Sequence, residues 1–351
     1  MAMEDPFSFW NVLWPKPAPP PPALATLTGV RLDLPTMLLR ERPQDAAGLM
    51  PVLIVAPFAL HDASIADFAP GHSIAQTLCD AGLDHVALTQ WKTATPEMRD
   101  FSIDHYLGDL NVAVDDLGGC VALVGLCQGG WLAAAFAARW PRKVRALVLA
   151  GAPLDLAAAP SQITRSVAAI SPAMLAHMVK MGGGRLLGRL SQAVWSESFN
   201  HPFVAREVLQ NGVEEGLIAQ AEAWNICTVD LPGVYFLQTD EWLFREYRLA
   251  RGAFPVLGRC CDLAAIDAPI FVLAGAEDEV VPLPQALAVK ELCPRAQLSL
   301  CILPCRHLSI FLGRHSLDEG WEQAARWLVR KMKPVRPKPG ARSTGLAGRG
   351  A

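Results

Sequence analysis

The chain has 351 residues and a mass of 37.9 kDa, which suits one large α/β core carrying an insertion better than a single small module. Hydrophobic residues make up 52% of the sequence and charged residues 19%, so a full core can form and wholesale disorder is excluded. The 31 basic and 34 acidic side chains give a net charge of −3, which offers no general field for binding nucleic acid.

The ends of the chain differ in composition from its middle. Residues 1–30 are rich in proline, which fixes φ and donates no hydrogen bond, so they predict an extended segment. Residues 333–351 contain basic side chains and no acidic one among Pro, Gly, Ser and Ala, which predicts a flexible basic tail. Between these ends we expect an α/β core in two parts, 31–153 and 251–332, separated by a helical cap over 154–250.

Short apolar runs alternate with helix-like segments in both predicted core parts. Continuous apolar strands separated by helices are typical of a mostly parallel sheet that is covered on both faces. One uncharged stretch, 117–138, is long enough to cross a bilayer, but its five glycines favour a strand, a sharp turn and a buried helix over a transmembrane span. The predicted strands are 51–56, 85–89, 120–124, 144–149, 269–274 and 298–303, and the predicted helices are 72–82, 102–117, 129–139, 284–292 and 317–331.

The nine cysteines are scattered, odd in number and contain no C-x-x-C pair. The first residues are acidic and lack the basic segment that begins a signal peptide. We therefore expect reduced thiols, a cytoplasmic location and no disulfide framework. The cysteines and histidines also lack the spacing of metal ligands, so neither a metal nor another cofactor is expected.

One turn carries the pattern of a nucleophile. Gly125-Leu-Cys127-Gln-Gly129-Gly130 follows a predicted strand and opens an Ala-rich helix, as in the nucleophile elbow G-x-S-x-G with cysteine in place of serine. The turn is strained, so the positions two before and two after the nucleophile must lack a Cβ. The helix N-terminus favours the thiolate of Cys127, and the backbone amide of Gln128 is one expected oxyanion donor.

A histidine and an acid follow later strands, in the chain order that this scaffold requires. Asp278 lies after the predicted strand 269–274, and His307 lies after the strand 298–303. Both would emerge at the carboxyl edge of the sheet, where His307 would take the proton of Cys127 and Asp278 would orient the imidazole. Glu277 is the alternative acid.

The second oxyanion donor is expected from the turn after the strand 51–56. Its amide would be that of Phe58 or Ala59. Trp91, Trp131 and Trp242 are the candidates for the walls of the substrate pocket.

The segment Gly125–Gly130 resembles the modified lipase box of polyhydroxyalkanoate synthases, notably of the short two-subunit type, which belong to the α/β-hydrolase superfamily. The resemblance covers about residues 50 to 330 and places that family's catalytic cysteine, aspartate and histidine on Cys127, Asp278 and His307. The sequence departs from the family pattern at Arg306, where many synthases have glycine, and at Lys92–Pro96, two places expected at the pocket. Further similar segments are Trp140–Val148, Ala152–Asp155, Leu231–Gly233, Trp242–Tyr247 and Cys261–Ile270.

The resemblance implies an acyltransferase that moves hydroxyacyl groups from a coenzyme A thioester onto a polyester through a cysteine thioester. It further implies a companion synthase subunit or a homodimer, and contact with the surface of a polyester granule. Two alternatives stay open from the residues alone. One is a cysteine hydrolase, either an intracellular polyester depolymerase or an ester or thioester hydrolase, and the other is a catalytically silent granule-binding protein.

Overall fold

The computed structural model of the chain describes residues 21–42, 50–192, 203–210 and 214–332. Most of the predicted proline-rich segment and the whole predicted basic tail therefore lie outside the described residues. All nine cysteines are described, and none of them forms a disulfide.

A central sheet of eight strands organises the described residues, in the order β1-β2-β4-β3-β5-β6-β11-β12. The strands from β4 to β12 along this order pair in parallel, whereas β1 pairs with β2 and β2 with β4 in the antiparallel sense. The strands are β1 Gly29–Asp33, β2 Met37–Glu41, β3 Val52–Val55, β4 Val86–Trp91, β5 Val121–Leu126, β6 Val144–Ala150, β11 Ile270–Gly275 and β12 Leu298–Leu303.

The six parallel strands are those that the apolar runs predict, each within two residues at either end. Every residue of β3, β5 and β11 is buried, as expected for strands covered on both faces. The antiparallel strands β1 and β2 were not predicted. Their residues are largely half-exposed or exposed, so they lack the continuous apolar run of a buried strand. The uncharged stretch 117–138 forms β5 and a buried helix, as predicted.

Helices cover both faces of the sheet and connect its parallel strands. The helix that follows β5 is almost continuously buried, because its alanines and glycines let it approach the sheet closely. The core helices are α1 Ile74–Asp80, α2 Ile103–Asp116, α3 Gln128–Arg139, and, after β11, α9 Leu283–Leu287, α10 Val289–Leu292, α11 Ser309–Leu312, a π-helical turn Ser316–Trp321 and α12 Glu322–Met332.

The chain between β6 and β11 is an insertion, because these two strands are neighbours that pair directly, Leu147 with Ile270. We use the term cap for residues 154–250 of this insertion. The cap also contains a two-residue antiparallel pair, β7 Arg185–Leu186 with β8 Leu231–Pro232, which is too short to leave a strand pattern in the sequence. Its helices are α4 Gln162–Ala169, α5 Pro172–Met181, α6 Ala205–Leu209, α7 Glu215–Ile226, α8 Gly233–Gln238 and a π-helical segment Thr239–Arg245.

A hairpin closes the insertion before the chain re-enters the sheet. Its strands are β9 Phe254–Val256 and β10 Arg259–Cys261, and they contact α3. Within the described ranges, no helix is long and apolar enough to cross a membrane.

Candidate active site

Cys127 occupies the sharp turn between β5 and α3. Its backbone has φ 45° and ψ −114°, a conformation that is costly for a residue with a Cβ and that concentrates at functional sites. Two hydrogen bonds hold the turn: the Cys127 amide donates to the Ala150 carbonyl at 2.9 Å, and the Gly130 amide donates to the Cys127 carbonyl at 2.8 Å. The neighbouring strand and the new helix thus fix the strained residue from both sides.

Three glycines make this turn sterically feasible. A Cβ on Gly125 would come within 2.5 Å of the Gly130 Cα, and one on Gly129 would come within 2.0 Å of the Val55 carbonyl oxygen. A Cβ on Gly130 would meet the Cβ of Ala152 at 2.3 Å. Because these glycines lack a Cβ, the backbone of α3 can approach β5 and the adjoining segments closely. This requirement explains their spacing around the cysteine.

The loops after β11 and β12 bring an acid and a histidine to Cys127. The Nε2 atom of His307 lies 3.2 Å from the Cys127 sulfur, and its Nδ1 atom lies 2.8 Å from Oδ2 of Asp278. The two loops touch closely, since a Cβ on Gly275 would stand 2.3 Å from the Cys305 carbonyl oxygen. Three residues that are far apart in the sequence thus form one continuous hydrogen-bonded chain of thiol, imidazole and carboxylate.

Asp278, and not the alternative Glu277, is the acid that meets the histidine. Its Oδ1 atom accepts hydrogen bonds from the amides of Val280 and Val281 at 2.9 and 2.7 Å, which leaves Oδ2 directed at His307. The side chain is buried, whereas Glu277 is exposed. The carboxylate is therefore held in place by the turn that it closes.

The electrostatics of the site favour a charged imidazole. Burial alone would lower the pKa of His307, but the Asp278 carboxylate and the Cys127 sulfur raise it well above its ordinary value of 6.5. The ring is also packed edge-on against Phe311, with 5.4 Å between the ring centroids. The contacts with the carboxylate and the sulfur therefore outweigh burial and favour the imidazolium form of His307.

The backbone amides of Gln128, Phe58 and Ala59 have no hydrogen-bond partner among the described residues. Gln128 occupies the first position of α3, and Phe58 and Ala59 lie in the turn after β3. All three residues line the same cavity as Cys127. The Phe58 ring is stacked on Tyr106, with 4.8 Å between centroids, which fixes the turn. Unpaired amides of this kind can stabilise an oxyanion.

The three tryptophans expected in the pocket do not line the cavity, and that prediction is wrong. Trp91 is buried behind the oxyanion turn and donates through Nε1 to a backbone carbonyl at 2.8 Å. Trp131 donates to Oε1 of Gln128 at 2.6 Å, so it fixes the residue beside the nucleophile from behind. Trp242 packs edge-on against Phe254 of the hairpin, with ring centroids 6.0 Å apart.

A cavity of about 670 Å³ opens over the sulfur. Apolar side chains predominate in the lining; the core contributes Cys127 and His307, and the cap contributes aromatic side chains such as Trp224 and Phe236 together with polar ones such as Gln192. A cavity of this size and character suits a small organic molecule with one reactive polar group.

A second charged group adjoins the histidine. Arg306, the departure from the synthase pattern, lines the cavity and pairs with Glu279 at 3.0 Å and with Glu207 of α6 at 3.3 Å. Glu279 also accepts from the His307 amide at 3.3 Å. Burial raises the pKa of Glu279, but the hydrogen bond and charge of Arg306 outweigh this and lower it. No spacing rule in the sequence singles out Glu279, although it directly follows Asp278.

The other departure, Lys92–Pro96, lies elsewhere, which corrects the expectation that it borders the pocket. None of its residues lines the cavity; the amide of Ala94 instead donates to the carbonyl of Asp230 in the cap, at 2.9 Å. Across the described ranges, no group of three or more His, Cys, Asp or Glu side chains is arranged to hold a metal ion.

Known proteins with similar sequences are polymerase subunits. The chain is 23% identical over 296 residues to the poly(3-hydroxyalkanoate) polymerase subunit PhaC of Haloferax mediterranei, a match that covers 80% of this chain and 59% of that protein. It is 24% identical over 297 residues to the subunit of the same name from Allochromatium vinosum, covering 82% of this chain and 83% of that protein. The chain thus spans less than two thirds of the Haloferax protein, and the predicted resemblance to polyhydroxyalkanoate synthases is confirmed.

Known structures and a family model agree on the fold. A thermophilic esterase from Thermogutta terrifontis superposes with a TM-score of 0.50 at 15% identity, covering 84% of this chain and 94% of the esterase. A family model described as alpha/beta hydrolase fold matches residues 70–313, which is more than half of the chain. With its parallel sheet, flanking helices and insertion after β6, the chain belongs to the alpha/beta hydrolase family.

Proposed function

We propose that this protein is an acyltransferase of the polyhydroxyalkanoate synthase type, which takes hydroxyacyl groups from a coenzyme A thioester through a covalent thioester on Cys127. The observation that carries the proposal is the 3.2 Å contact between the Cys127 sulfur and Nε2 of His307, with Asp278 on the other ring nitrogen. The names of the similar polymerase subunits support the choice of substrate.

In the first half-reaction, His307 takes the thiol proton and the Cys127 sulfur attacks the carbonyl carbon of the substrate thioester. The amides of Gln128 and Phe58 stabilise the oxyanion that forms. When the tetrahedral intermediate collapses, the bond to the coenzyme A sulfur breaks and the imidazolium returns its proton to the leaving thiolate. The acyl group then remains on Cys127 as a thioester.

In the second half-reaction, neutral His307 takes the proton of an incoming hydroxyl, whose oxygen attacks the acyl carbon. The bond to the Cys127 sulfur breaks and the imidazolium neighbours the restored thiolate. Exchange of one thioester for another is nearly isoenergetic, so the acyl group stays activated for transfer to an alcohol. A serine ester would lose that activation, which explains the choice of cysteine.

The cavity suits the acyl chain of such a substrate. Most of its lining is apolar, and the cap contributes the aromatic side chains of Trp224, Phe236 and Phe244. No cofactor enters these steps, because proton transfer and oxyanion stabilisation both come from residues of this chain.

The same acyl-enzyme would serve a hydrolase if water were the acceptor in the second half-reaction. A catalytically silent granule-binding protein, by contrast, would not require a strained cysteine in a hydrogen-bonded chain, so this geometry disfavours that alternative. The relatives are named as subunits, so we include in the proposal a companion subunit or second copy, a cytoplasmic location and the polyester granule as the surface where the product accumulates.

The experiment supplies 3-hydroxybutyryl-coenzyme A to the purified full chain and follows free thiol and insoluble polymer together. Thiol release with polymer supports the synthase, whereas thiol release without polymer supports the hydrolase. Cys127→Ala is the control and should release no thiol above background. Release of neither product by the wild type, together with a Cys127 that resists alkylation by iodoacetamide, would favour the silent binding protein.

A further inference from the structure

A second imidazole lines the cavity, outside the group that performs the proposed chemistry. His61 lies in the turn after β3, which also contains Phe58, and faces the cap residue Trp224 with 4.3 Å between ring centroids. Its Nδ1 atom lies 3.3 Å from the carbonyl oxygen of Cys227, at the end of α7. Neither half-reaction described above uses this histidine.

The hydrogen bond fixes which nitrogen carries the proton. A carbonyl oxygen only accepts, so Nδ1 must be the donor, and a neutral imidazole then presents Nε2 as an acceptor. Burial lowers the pKa of His61 to about 4, although the hydrogen bond to Cys227 opposes this effect. The ring is therefore neutral near pH 7, and its Nε2 atom can only accept.

That Nε2 atom is unpaired. It has no hydrogen-bond partner within the described ranges, and it is not among the side-chain atoms that are both unpaired and sealed from solvent. Because His61 borders the cavity, the cavity is where a partner can reach the atom.

Several other polar side chains of the cavity form hydrogen bonds within the protein. Oε1 of Gln128 accepts from Trp131, Nε2 of Gln192 donates to the Asn225 carbonyl at 2.6 Å, and the hydroxyl of Ser309 donates to a backbone carbonyl at 3.0 Å. Both carboxylate oxygens of Asp62, which follows His61, also accept hydrogen bonds. His61 presents a neutral acceptor, its Nε2 atom, that no described residue occupies.

The ring is also held rigidly. The His61 backbone forms an isolated antiparallel bridge with Thr228 of the cap, and the amide of Val229 donates to the Leu60 carbonyl at 3.0 Å. Core turn and cap are therefore joined at this point, and Trp224 packs against one side of the ring. A hydrogen-bond acceptor that is fixed beside apolar side chains favours a bound molecule with a donor at the matching position.

We propose that His61 is a specificity-determining residue whose Nε2 atom accepts a hydrogen bond from a hydroxyl group on the acyl chain, so that hydroxylated acyl groups are preferred over unsubstituted ones. The inference rests on the proposed function for the class of substrate, whereas the presence of the acceptor atom does not depend on that proposal. A donor on the thiol part of the substrate would produce no such preference, since that part is common to all the thioesters compared.

The test compares 3-hydroxybutyryl-coenzyme A with butyryl-coenzyme A, which differ only in the hydroxyl. The readout is kcat/KM for thiol release. We expect the wild type to prefer the hydroxylated thioester by about 2- to 12-fold, the factor that corresponds to the net gain from one neutral hydrogen bond. A wild-type ratio near one, as expected if water satisfies Nε2 equally well with either substrate, overturns the proposal.

Variants of His61 assign the preference to this residue. His61→Phe keeps a ring beside Trp224 but removes the acceptor, so the ratio should fall towards one. His61→Gln supplies an amide oxygen and should recover part of the ratio. The matched control is His177→Phe, at an exposed histidine of α5 outside the cavity lining, which should keep the wild-type ratio. An undiminished ratio in folded His61→Phe would overturn the proposal.

A binding measurement separates this inference from the proposed function. If the wild type turns over neither thioester, the proposed function fails, and calorimetry on the Cys127→Ala protein then tests His61 alone. The probes are the N-acetylcysteamine thioesters of 3-hydroxybutyrate and butyrate. Tighter binding of the hydroxylated probe, lost on adding His61→Phe, supports the acceptor role, and equal binding of the two probes rejects it.

Discussion

The two walls of the cavity differ in how the chain builds them. The core wall includes residues from the turns and loops that follow parallel strands: Phe58 after β3, Cys127 after β5 and His307 after β12. The cap wall includes large apolar side chains, such as Phe236 and Phe244, on short helical segments. The sheet therefore fixes where the reacting atoms lie, and the insertion decides what shape of molecule can reach them.

The strained backbone of Cys127 belongs to the core wall, although the cap residues Gln210 and Tyr247 also have positive φ. Cys127 holds its unfavourable backbone because β6, α3 and the glycines around it leave no alternative. The cap is joined to the core both by ion pairs, such as that between Arg306 and Glu207, and by backbone contacts, such as the bridge between His61 and Thr228. Changes to Cys127 should affect the rate of chemistry, whereas changes to cavity residues outside the proposed catalytic group should affect substrate preference.

The largest effect is expected from the sulfur itself. Cys127→Ser should lower kcat for thiol release by about 10³- to 10⁶-fold, because an alcohol is much less acidic than a thiol and gives its proton to His307 less readily. The fold should persist, since the two side chains differ little in size. Thermal unfolding followed by circular dichroism checks this, and a serine variant as active as the wild type would contradict the assignment.

The second-largest effect is expected from removal of the Asp278 carboxylate. Asp278→Asn should lower the acylation rate by about 10²- to 10⁴-fold, because the amide no longer stabilises the imidazolium or fixes its tautomer. Asn keeps the size of the side chain and can still accept from the amides of Val280 and Val281, so folding should change little. The alkylation rate of Cys127 by iodoacetamide gives an independent measure of the same loss.

The pH dependence of the acylation rate also tests the role of Asp278, and the direction of the expected shift is defined. Burial lowers the pKa of His307, but Asp278 and Cys127 raise it well above 6.5, so the imidazolium persists to higher pH than in a free histidine. Protonation of the leaving thiolate requires this imidazolium. The rate of that step should therefore fall only as the pH rises through the raised pKa of His307. In Asp278→Asn the alkaline limb of the acylation rate should move to lower pH, and an unmoved limb would show that the carboxylate does not set it.

A smaller effect is expected on the cap wall. Phe236→Leu trims an apolar side chain of the cavity and should raise KM for an acyl thioester by about 3- to 10-fold, the loss that corresponds to one or two methylene contacts. Longer acyl chains should recover part of this loss by filling the space. Measurement of kcat/KM across a series of chain lengths checks the shift, and an equal fall for every length would mean that the chemistry, not the fit, had changed.

The sequence reveals the core wall better than the cap wall, for a steric reason. Gly125, Cys127 and Gly129 are readable because the elbow imposes its demands on consecutive residues. The positions of Asp278 and His307 follow from strand order, since parallel strands end at one edge of the sheet. Which of Glu277 and Asp278 turns inward depends on a tight turn whose hydrogen bonds no spacing rule describes.

The errors concern side chains whose direction depends on tertiary packing. Trp91, Trp131 and Trp242 are large and apolar, which predicts burial but not which surface buries them. His61 lacks any motif, and its tautomer is set by a carbonyl that lies 166 residues away along the chain. Arg306 was visible as a departure from the synthase pattern, but its two carboxylate partners come from separate loops.

The smallest effect is expected at the cysteines outside the site. Cys301 is half-buried on the edge strand β12, and Cys301→Ser should change the free energy of unfolding by no more than about 0.5 kcal/mol while kcat stays at the wild-type value. Burial raises the pKa of the Cys301 thiol, so iodoacetamide should modify it more slowly than Cys127 near neutral pH. Labelling followed by peptide mass spectrometry reads both sites in one sample, with Cys127→Ala as the control. Equal labelling of the two cysteines would mean that the elbow confers no special reactivity, and the contrast between the strained core turn and the rest of the molecule would lose its chemical basis.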